Sequence, residues 1–158
     1  MKLLLFILLN SALLLNAACA SNCNFDNNYF TESTYSKQSF KSSSWLEESK
    51  ELKAITQSND LLSVKHWSCN HFGLTATLLS TSVKPSTDLV ASKVLELGGI
   101  VLETNDITAL DQIIRSSKLV LSEQSHELQI PNTQHQQLKV SYQFINQNLL
   151  IELTVLDN

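Results

Sequence analysis

The spacing of apolar residues changes period twice along this chain, and this change limits the folds open to it. Apolar and polar residues alternate before Pro85, take up helical spacing after it, and alternate again near the C-terminus. A period of two indicates strands with one buried face, whereas a spacing of three to four residues indicates amphipathic helices. Strands on either side of two helices predict a single α+β domain with a largely antiparallel sheet, in which the helices lie between an N-terminal group of strands and a C-terminal hairpin.

The first strands are predicted in a serine-rich region. Ser39–Ser44 fits a strand with a polar face. The alternative is a helix over Leu46–Ile55, because Ser44–Glu47 fits a capping box and good helix formers follow it. We favour strands here, since Ser58–Asp60 has the composition of a turn and alternation resumes from Leu62, as in a hairpin partner.

The middle of the chain predicts one more strand and then two helices. Phe72–Ser80 alternates and is rich in β-formers, whereas Val90, Val94 and Leu97 have helical spacing. Gly98-Gly99 is expected to close the first helix as a C-terminal cap. The second helix is expected to start at Thr104–Asp106 and end near Ser116.

The C-terminal region returns to a period of two. Leu138–Phe144 and Leu149–Val155 alternate on either side of a polar connection, which predicts a hairpin. Leu128 and Ile130 predict a short additional strand. We expect that strand at an edge of the sheet, because Pro131 cannot donate to a ladder.

The N-terminus has the three parts of a secretory signal peptide. Lys2 supplies the positive charge, Leu3–Leu15 supplies the apolar segment, and Ala18-Cys19-Ala20 is a small-x-small cleavage signal. Cleavage is therefore expected between Ala20 and Ser21. The apolar segment is shorter than the roughly 18 residues that span a bilayer, so no transmembrane anchor is predicted.

This assignment divides the chain into a signal peptide (residues 1–20), a polar N-terminal arm (21–36) and a single α+β domain (37–158). The expected location is the periplasm of a bacterium or the medium. The lack of an Asn-x-Ser/Thr sequon fits a bacterial address. The alternative is an outer-membrane lipoprotein anchored through Cys19, since Ala17-Ala18-Cys19 resembles the end of a lipobox. Asn16 disfavours lipidation, because this position normally holds a branched aliphatic residue.

The cysteine count agrees with export. Removal of Cys19 with the signal peptide leaves two of the three cysteines, Cys23 and Cys69. Two cysteines in an oxidising compartment predict one disulfide. Closing a loop of this length contributes about 3 to 4 kcal/mol to stability in the chain-entropy model.

Composition and charge exclude several classes of function. The chain has 43% hydrophobic and 16% charged residues, which is typical of a folded domain. Its net charge of −4 has the wrong sign for holding phosphate backbones, so no nucleic-acid partner is expected. With 3 glycines it also lacks a glycine-rich loop for a nucleotide or other cofactor.

The densest group of reactive side chains is His66-Trp67-Ser68-Cys69-Asn70-His71. In an extended segment Cys69 and His71 share one face and His66 points to the other. Zinc would need further ligands, and no Cys-x-x-Cys or His-Glu-x-x-His motif supplies them, so no metal site is predicted. A nucleophilic Cys69 would have to stay reduced during export. His66, Trp67 and His71 therefore remain candidates for an interaction site, with no catalytic residue assigned.

The other candidate groups are dispersed. His126 and His135 lie in polar surroundings without a partner nearby in sequence, and no Gly-x-Ser-x-Gly turn presents a nucleophilic serine. The arm carries an aromatic run that could bind a partner or cover the sheet as a strap. Its residues are Phe25, Tyr29, Phe30 and Tyr35.

These observations favour a non-catalytic, exported protein-binding module of inhibitor or immunity type. In its size, its expected compartment and its single predicted disulfide, the chain is similar in type to bacterial lysozyme inhibitors and periplasmic immunity proteins. It matches no diagnostic motif of either, so no residue role is carried over. Its partner would be another extracytoplasmic protein, and an acidic surface would suit a basic one. Two alternatives stay open: an envelope structural or assembly accessory, including the Cys19 lipoprotein, and an enzyme with a site around His66 and His71.

Overall fold

A computed structural model of the protein describes residues 31–35, 38–68, 72–122, 124–131, 135 and 137–157. The predicted cleavage site at Ala20 and Ser21, the cysteines Cys19, Cys23 and Cys69, and His71 all lie outside the described residues. The predicted disulfide therefore remains a prediction.

The described chain forms strands, then two helices, then strands, which confirms the predicted α+β class. A short 3₁₀ helix (Glu32–Tyr35) comes first. The strands are β1 (Ser42–Leu46), β2 (Glu51–Ile55), β3 (Leu61–Ser68), β4 (Phe72–Ser80), β5 (His126–Gln129), β6 (Gln137–Ile145) and β7 (Asn148–Leu156). The helices α1 (Thr87–Val101) and α2 (Thr104–Ser116) lie between β4 and β5.

All strands of the described chain belong to one antiparallel sheet of 7 strands in the order β1-β2-β3-β4-β7-β6-β5. The first four strands form a meander, and the helix pair then carries the chain to the far side. From there β5, β6 and β7 return, so that β7 pairs with β4. The predicted edge strand before Pro131 is β5, which is confirmed at one edge, while β1 forms the other.

The N-terminal strands show that the helix alternative over residues 46–55 is wrong. Glu47–Lys50 form a tight turn, with a positive φ of 50° at Lys50, and Leu46 pairs with Glu51 across it. Beyond the turn, Leu52 and Ala54 are buried while Lys53 and Ile55 are exposed. Burial of alternate residues against the rest of the sheet outweighs the local helix propensity.

The two helices cover one face of the sheet, and the core lies between these two layers. Every second residue of the central strands points into this layer and is almost fully buried. The largest fully buried side chains come from both layers: Leu52, Val64, Leu78, Val90, Val94, Leu97, Leu110, Leu138, Val140, Leu149, Ile151 and Leu153. Among the described residues, neither helix is long and apolar enough to cross a membrane.

A buried ion pair fixes α1 to the turn between β2 and β3. Lys93 donates to Asp60 at 2.5 Å and to Glu96 at 2.7 Å. Burial acts to raise the pKa of Asp60, but hydrogen bonds, led by that from Lys93, outweigh it and lower the pKa. This ion pair holds α1 at the edge of the β2–β3 hairpin, in addition to the packing of the buried side chains of the helix.

The prediction that Gly98-Gly99 caps the C-terminus of α1 is wrong. Ser86 does cap the start, since the Leu89 amide donates to its Oγ at 3.1 Å, but the helix continues through Gly98 and Gly99 to Val101. Both glycines keep negative φ angles. Gly98 is buried where α1 meets α2, and a Cβ there would lie 2.8 Å from a methyl of Leu110. The absence of a side chain allows this close approach of the helices.

Alanine substitutions at the two glycines should change stability in opposite directions. Gly99→Ala should add about 0.5 to 1 kcal/mol, because a Cβ there meets nothing within 4 Å and alanine favours the helix. Gly98→Ala should instead lower the free energy of unfolding by about 1 kcal/mol net. The clash with Leu110, which is fully buried and has little room to move, outweighs the gain in helix propensity. Urea denaturation of both variants tests this, and equal stabilisation by both would contradict the proposed packing.

Candidate functional site

The face of the sheet opposite the helices carries a row of apolar side chains. Cross-strand register aligns Ile55 on β2 with Leu61 on β3, Leu61 with Leu79 on β4, and Leu79 with Leu150 on β7. Leu61 is 50% exposed and Ile55 is 36% exposed. We call this uncovered surface the open face, and these four side chains the apolar row.

The apolar row lies in a concavity of about 640 Å³. Hydroxyl groups surround it on β1, β3 and β4; they belong to Ser42, Ser44, Ser63 and Thr77. The concavity follows from the alternation of the strands, since it is formed largely by the residues that do not point toward α1 and α2. An apolar floor with a hydroxyl rim is typical of a binding surface rather than of a reactive centre.

Charges on the open face are balanced. Three acidic and three basic side chains project from it: Glu51, Lys53, Lys65, Glu127, Lys139 and Glu152. They form local pairs, with Lys53 at 3.6 Å from Glu51 and Lys139 at 3.2 Å from Glu127. The net negative charge of the chain is therefore carried elsewhere.

His66 and Trp67, from the described part of the predicted cluster, lie on opposite faces of β3. Trp67 lies on the open face, where its ring covers Gly73 on β4 and its indole N–H donates to Thr75 at 3.3 Å. A Cβ on Gly73 would lie 2.4 Å from the ring, so the glycine makes room for the tryptophan. Trp67 is half-buried and extends the open face at one end.

His66 points the other way, into the core. It is 5% exposed, and its Nε2 forms a 2.6 Å hydrogen bond with the hydroxyl of Tyr35. Burial lowers the pKa of His66 to about 4 and raises that of Tyr35, so both groups are neutral near pH 7. The contact assigns Tyr35, the last residue of the 3₁₀ helix, to the strap that covers the sheet rather than to a partner-binding edge.

A histidine site that sequence reasoning missed joins three distant segments. His135 Nε2 lies 3.0 Å from the buried carboxylate of Asp106 on α2, and its Nδ1 contacts Asp157 beyond the end of β7. Asp106 is 2% exposed. No local motif predicts this group, because the partners are separated from His135 by 29 and 22 residues.

The chemistry of this group is structural. Ionised carboxylates only accept hydrogen bonds, so this arrangement favours an N–H on both ring nitrogens and thus the imidazolium form of His135. Burial acts to lower the pKa of His135, but the hydrogen bond and charge of Asp157, together with the charge of Asp106, raise it above the ordinary range. A ring with both nitrogens held by carboxylates is poorly suited to act as a general base.

His126 contacts Ser122, with 2.8 Å between Nε2 and Oγ. The same hydroxyl accepts from the amide of Gln124 at 3.1 Å, which closes a local turn. Nucleophilic catalysis needs a base that is itself oriented by a third group. In the described part of the chain no carboxylate hydrogen-bonds the His126 ring, so this pair has the geometry of a turn.

Within the same described ranges, no group of three or more His, Cys, Asp or Glu residues is arranged to hold a metal ion. His71 and Cys69 fall outside those ranges.

The buried His66 should make the protein less stable in acid. Its pKa is lower in the folded than in the unfolded chain, so its contribution is complete above pH 6.5 and is lost as the pH falls toward 4, by on the order of 3 kcal/mol. His66→Gln should flatten the fall in the free energy of unfolding between these pH values. Tyr35→Phe should keep the slope, because burial causes the shift, while losing about 1 kcal/mol at each pH. An unchanged slope in His66→Gln would contradict this account.

The His135 group should have the opposite pH dependence. Its pKa is raised on folding, so the contribution is complete below the unfolded value near 6.5 and is lost as the pH rises through the folded value. At pH 6, His135→Gln should cost roughly 1 to 3 kcal/mol, since hydrogen bonds to charged groups are lost. The difference in unfolding free energy between the native chain and the variant should shrink at alkaline pH. A difference that is constant from pH 6 to 9 would show that the imidazolium is not held as described.

Comparison with family models, curated proteins and solved structures finds no match to this chain. The interpretation of the open face, of His66 and of His135 therefore depends on their own contacts and chemistry.

Proposed function

We propose that this protein is an exported, non-catalytic binding domain that acts on another extracytoplasmic protein as an inhibitor or immunity protein does. The observation that carries the proposal is the apolar row formed by Ile55, Leu61, Leu79 and Leu150 in the concavity of the open face. Exposed apolar side chains in a contiguous patch with a polar rim are typical of protein interaction sites.

The contacts of the histidines support a non-catalytic role. His66 is buried in the core and neutral, and His135 is held between two carboxylates. Both groups stabilise connections between segments: the strap with β3, and α2 with the C-terminal end of β7. The described histidine that the sequence favoured for chemistry thus faces away from the concavity.

The proposed location follows from the signal peptide and the cysteine count. Export to the periplasm or the medium would place the open face where secreted or envelope proteins can reach it. A disulfide between Cys23 and Cys69 would fix the arm to the sheet in an oxidising compartment.

The open face indicates how a partner would be bound. Because its acidic and basic side chains are equal in number, affinity would come from apolar contact with the row, and the hydroxyl rim would supply hydrogen bonds. The acidic surface elsewhere would attract a basic partner at long range and would raise the association rate more than the affinity.

Replacing apolar side chains of the open face should abolish partner binding. The protein is expressed from its full coding sequence, purified as the cell processes it, and used to capture proteins from envelope extract and culture fluid. The double variant Ile55→Asp/Leu61→Asp should lose the captured partner at least tenfold, since it places two charges in the apolar contact. Any captured enzyme or toxin is then assayed for inhibition by the native chain.

The matched control is Val120→Asp/Leu121→Asp. These residues are 43% and 42% exposed, similar to the replaced pair, but they lie outside the concavity. The control should keep the partner. A partner retained by the open-face variant, or captured without any change in its activity, would contradict the proposal.

A further inference from the structure

The two edges of the sheet differ in how they are protected from further strands. At one edge β5 carries Glu127, paired with Lys139, and Pro131 follows it closely. At the other edge β1 is an uncharged strand, Ser-Ser-Ser-Trp-Leu, without proline. Charged side chains, prolines and bulges are the usual means of preventing edge pairing. Strand β1 has no charged side chain and no proline within its five residues, and among the described residues no element lies beyond it.

The direction of the β1 backbone groups follows from its pairing with β2. The carbonyl of Ile55 accepts from the amide of Lys41 at 2.9 Å, and the amide of the next residue, Thr56, donates to Asp60 on the β3 side, so the backbone groups of Ile55 point toward β1. Backbone groups alternate in direction along a strand. The backbone groups of Ser42, Ser44 and Leu46, whose partners are Ile55, Lys53 and Glu51, therefore point toward β2. The amides and carbonyls of Ser43 and Trp45 point away from the sheet, where another strand could accept and donate hydrogen bonds.

We propose that two copies of this chain associate through β1, antiparallel, about a twofold axis that passes through Ser44. The sheet then continues from one copy into the other. This register uses all the outward-pointing backbone groups of the strand, because Ser43 lies opposite the partner's Trp45 and Trp45 lies opposite the partner's Ser43, and each of these pairs can exchange two backbone hydrogen bonds.

The side chains of β1 are self-complementary in this register. On the open face Leu46 lies opposite the partner's Ser42. On the helix face Trp45, which is half-buried, lies opposite the partner's Ser43. Each large side chain thus faces a small one, so the strands can approach without a clash.

The charges that flank β1 are complementary as well. Lys41 precedes the strand and Glu47 follows it, and both are exposed. Antiparallel pairing about Ser44 places Lys41 opposite the partner's Glu47, and the twofold axis makes the same pair a second time. Opposite charges facing each other across strands stabilise pairing, and like charges oppose it. The five-residue strand would make a small interface, so a weak dimer is expected.

The dimer would enlarge the open face. Ser42, Ser43 and Ser44 line the concavity at its β1 side, so the concavities of the two copies would meet across the axis. The inference does not depend on the proposed function, because self-association through an edge needs no partner on the open face.

Cysteine cross-linking tests both the association and its register. In Ser44→Cys the two introduced cysteines would form a non-hydrogen-bonded pair about 4.5 Å apart between Cα atoms, which is within disulfide range. Mild oxidation should convert most of this variant into a covalent dimer. The matched control is Ser42→Cys, on the same face and equally exposed, whose cysteines would be more than about 12 Å apart in the dimer. It should not cross-link. Equal cross-linking of both variants would overturn the register.

A charge exchange gives a second, non-covalent measurement. Sedimentation of the processed protein at low salt should show dimers whose fraction rises with concentration. Lys41→Glu and Glu47→Lys should each weaken association about fivefold or more, and the double variant should restore it. A protein that stays monomeric at all concentrations, or a dimer that neither substitution affects, would overturn the proposal.

The variant Ile55→Asp/Leu61→Asp separates this inference from the proposed function. It alters the open face away from the axis, so it should dimerise normally while losing a partner on that face. Loss of dimerisation in this variant would overturn pairing through β1 alone.

Discussion

The sheet is covered on one face only, and the rest of the structure depends on that asymmetry. Helices α1 and α2 bury every second residue of the central strands, and the residues between them remain at the surface. Core packing therefore uses half of each strand and leaves the other half to contact something else. The close approach of α1 and α2 at Gly98 keeps the helix pair compact enough to lie on a single face.

Polar groups inside this two-layer structure close the gaps between segments. Lys93 joins α1 to the β2–β3 turn, Tyr35 joins the strap to β3, and His135 joins α2 to the C-terminal end of β7. In each contact the two side chains satisfy each other's charge or hydrogen bond, as burial of polar groups requires. The surroundings of His66 and His135 favour different protonation states, because one faces a hydroxyl in the core and the other faces carboxylates.

Most of the architecture was predictable because it depends on local periodicity. Alternation identified the strands on both sides of the helices, and helical spacing identified α1 and α2. The errors arose where a residue type permits two structures. A glycine pair can end a helix or allow a close helix contact, and Gly98 does the second because Leu110 packs on it. Helix-forming residues at 46–55 join a hairpin instead, because pairing of β2 with β3 buries alternate side chains of β2.

The sequence by itself determined the α+β class, the order of the elements and the edge position of β5. These follow from the period of apolar residues and from proline, which act over a few residues. Only the tertiary structure decided that the apolar row is aligned across four strands and that His135 meets Asp106 and Asp157. Such contacts join residues far apart in the chain, and their partners are set by strand register and helix packing rather than by neighbouring residues.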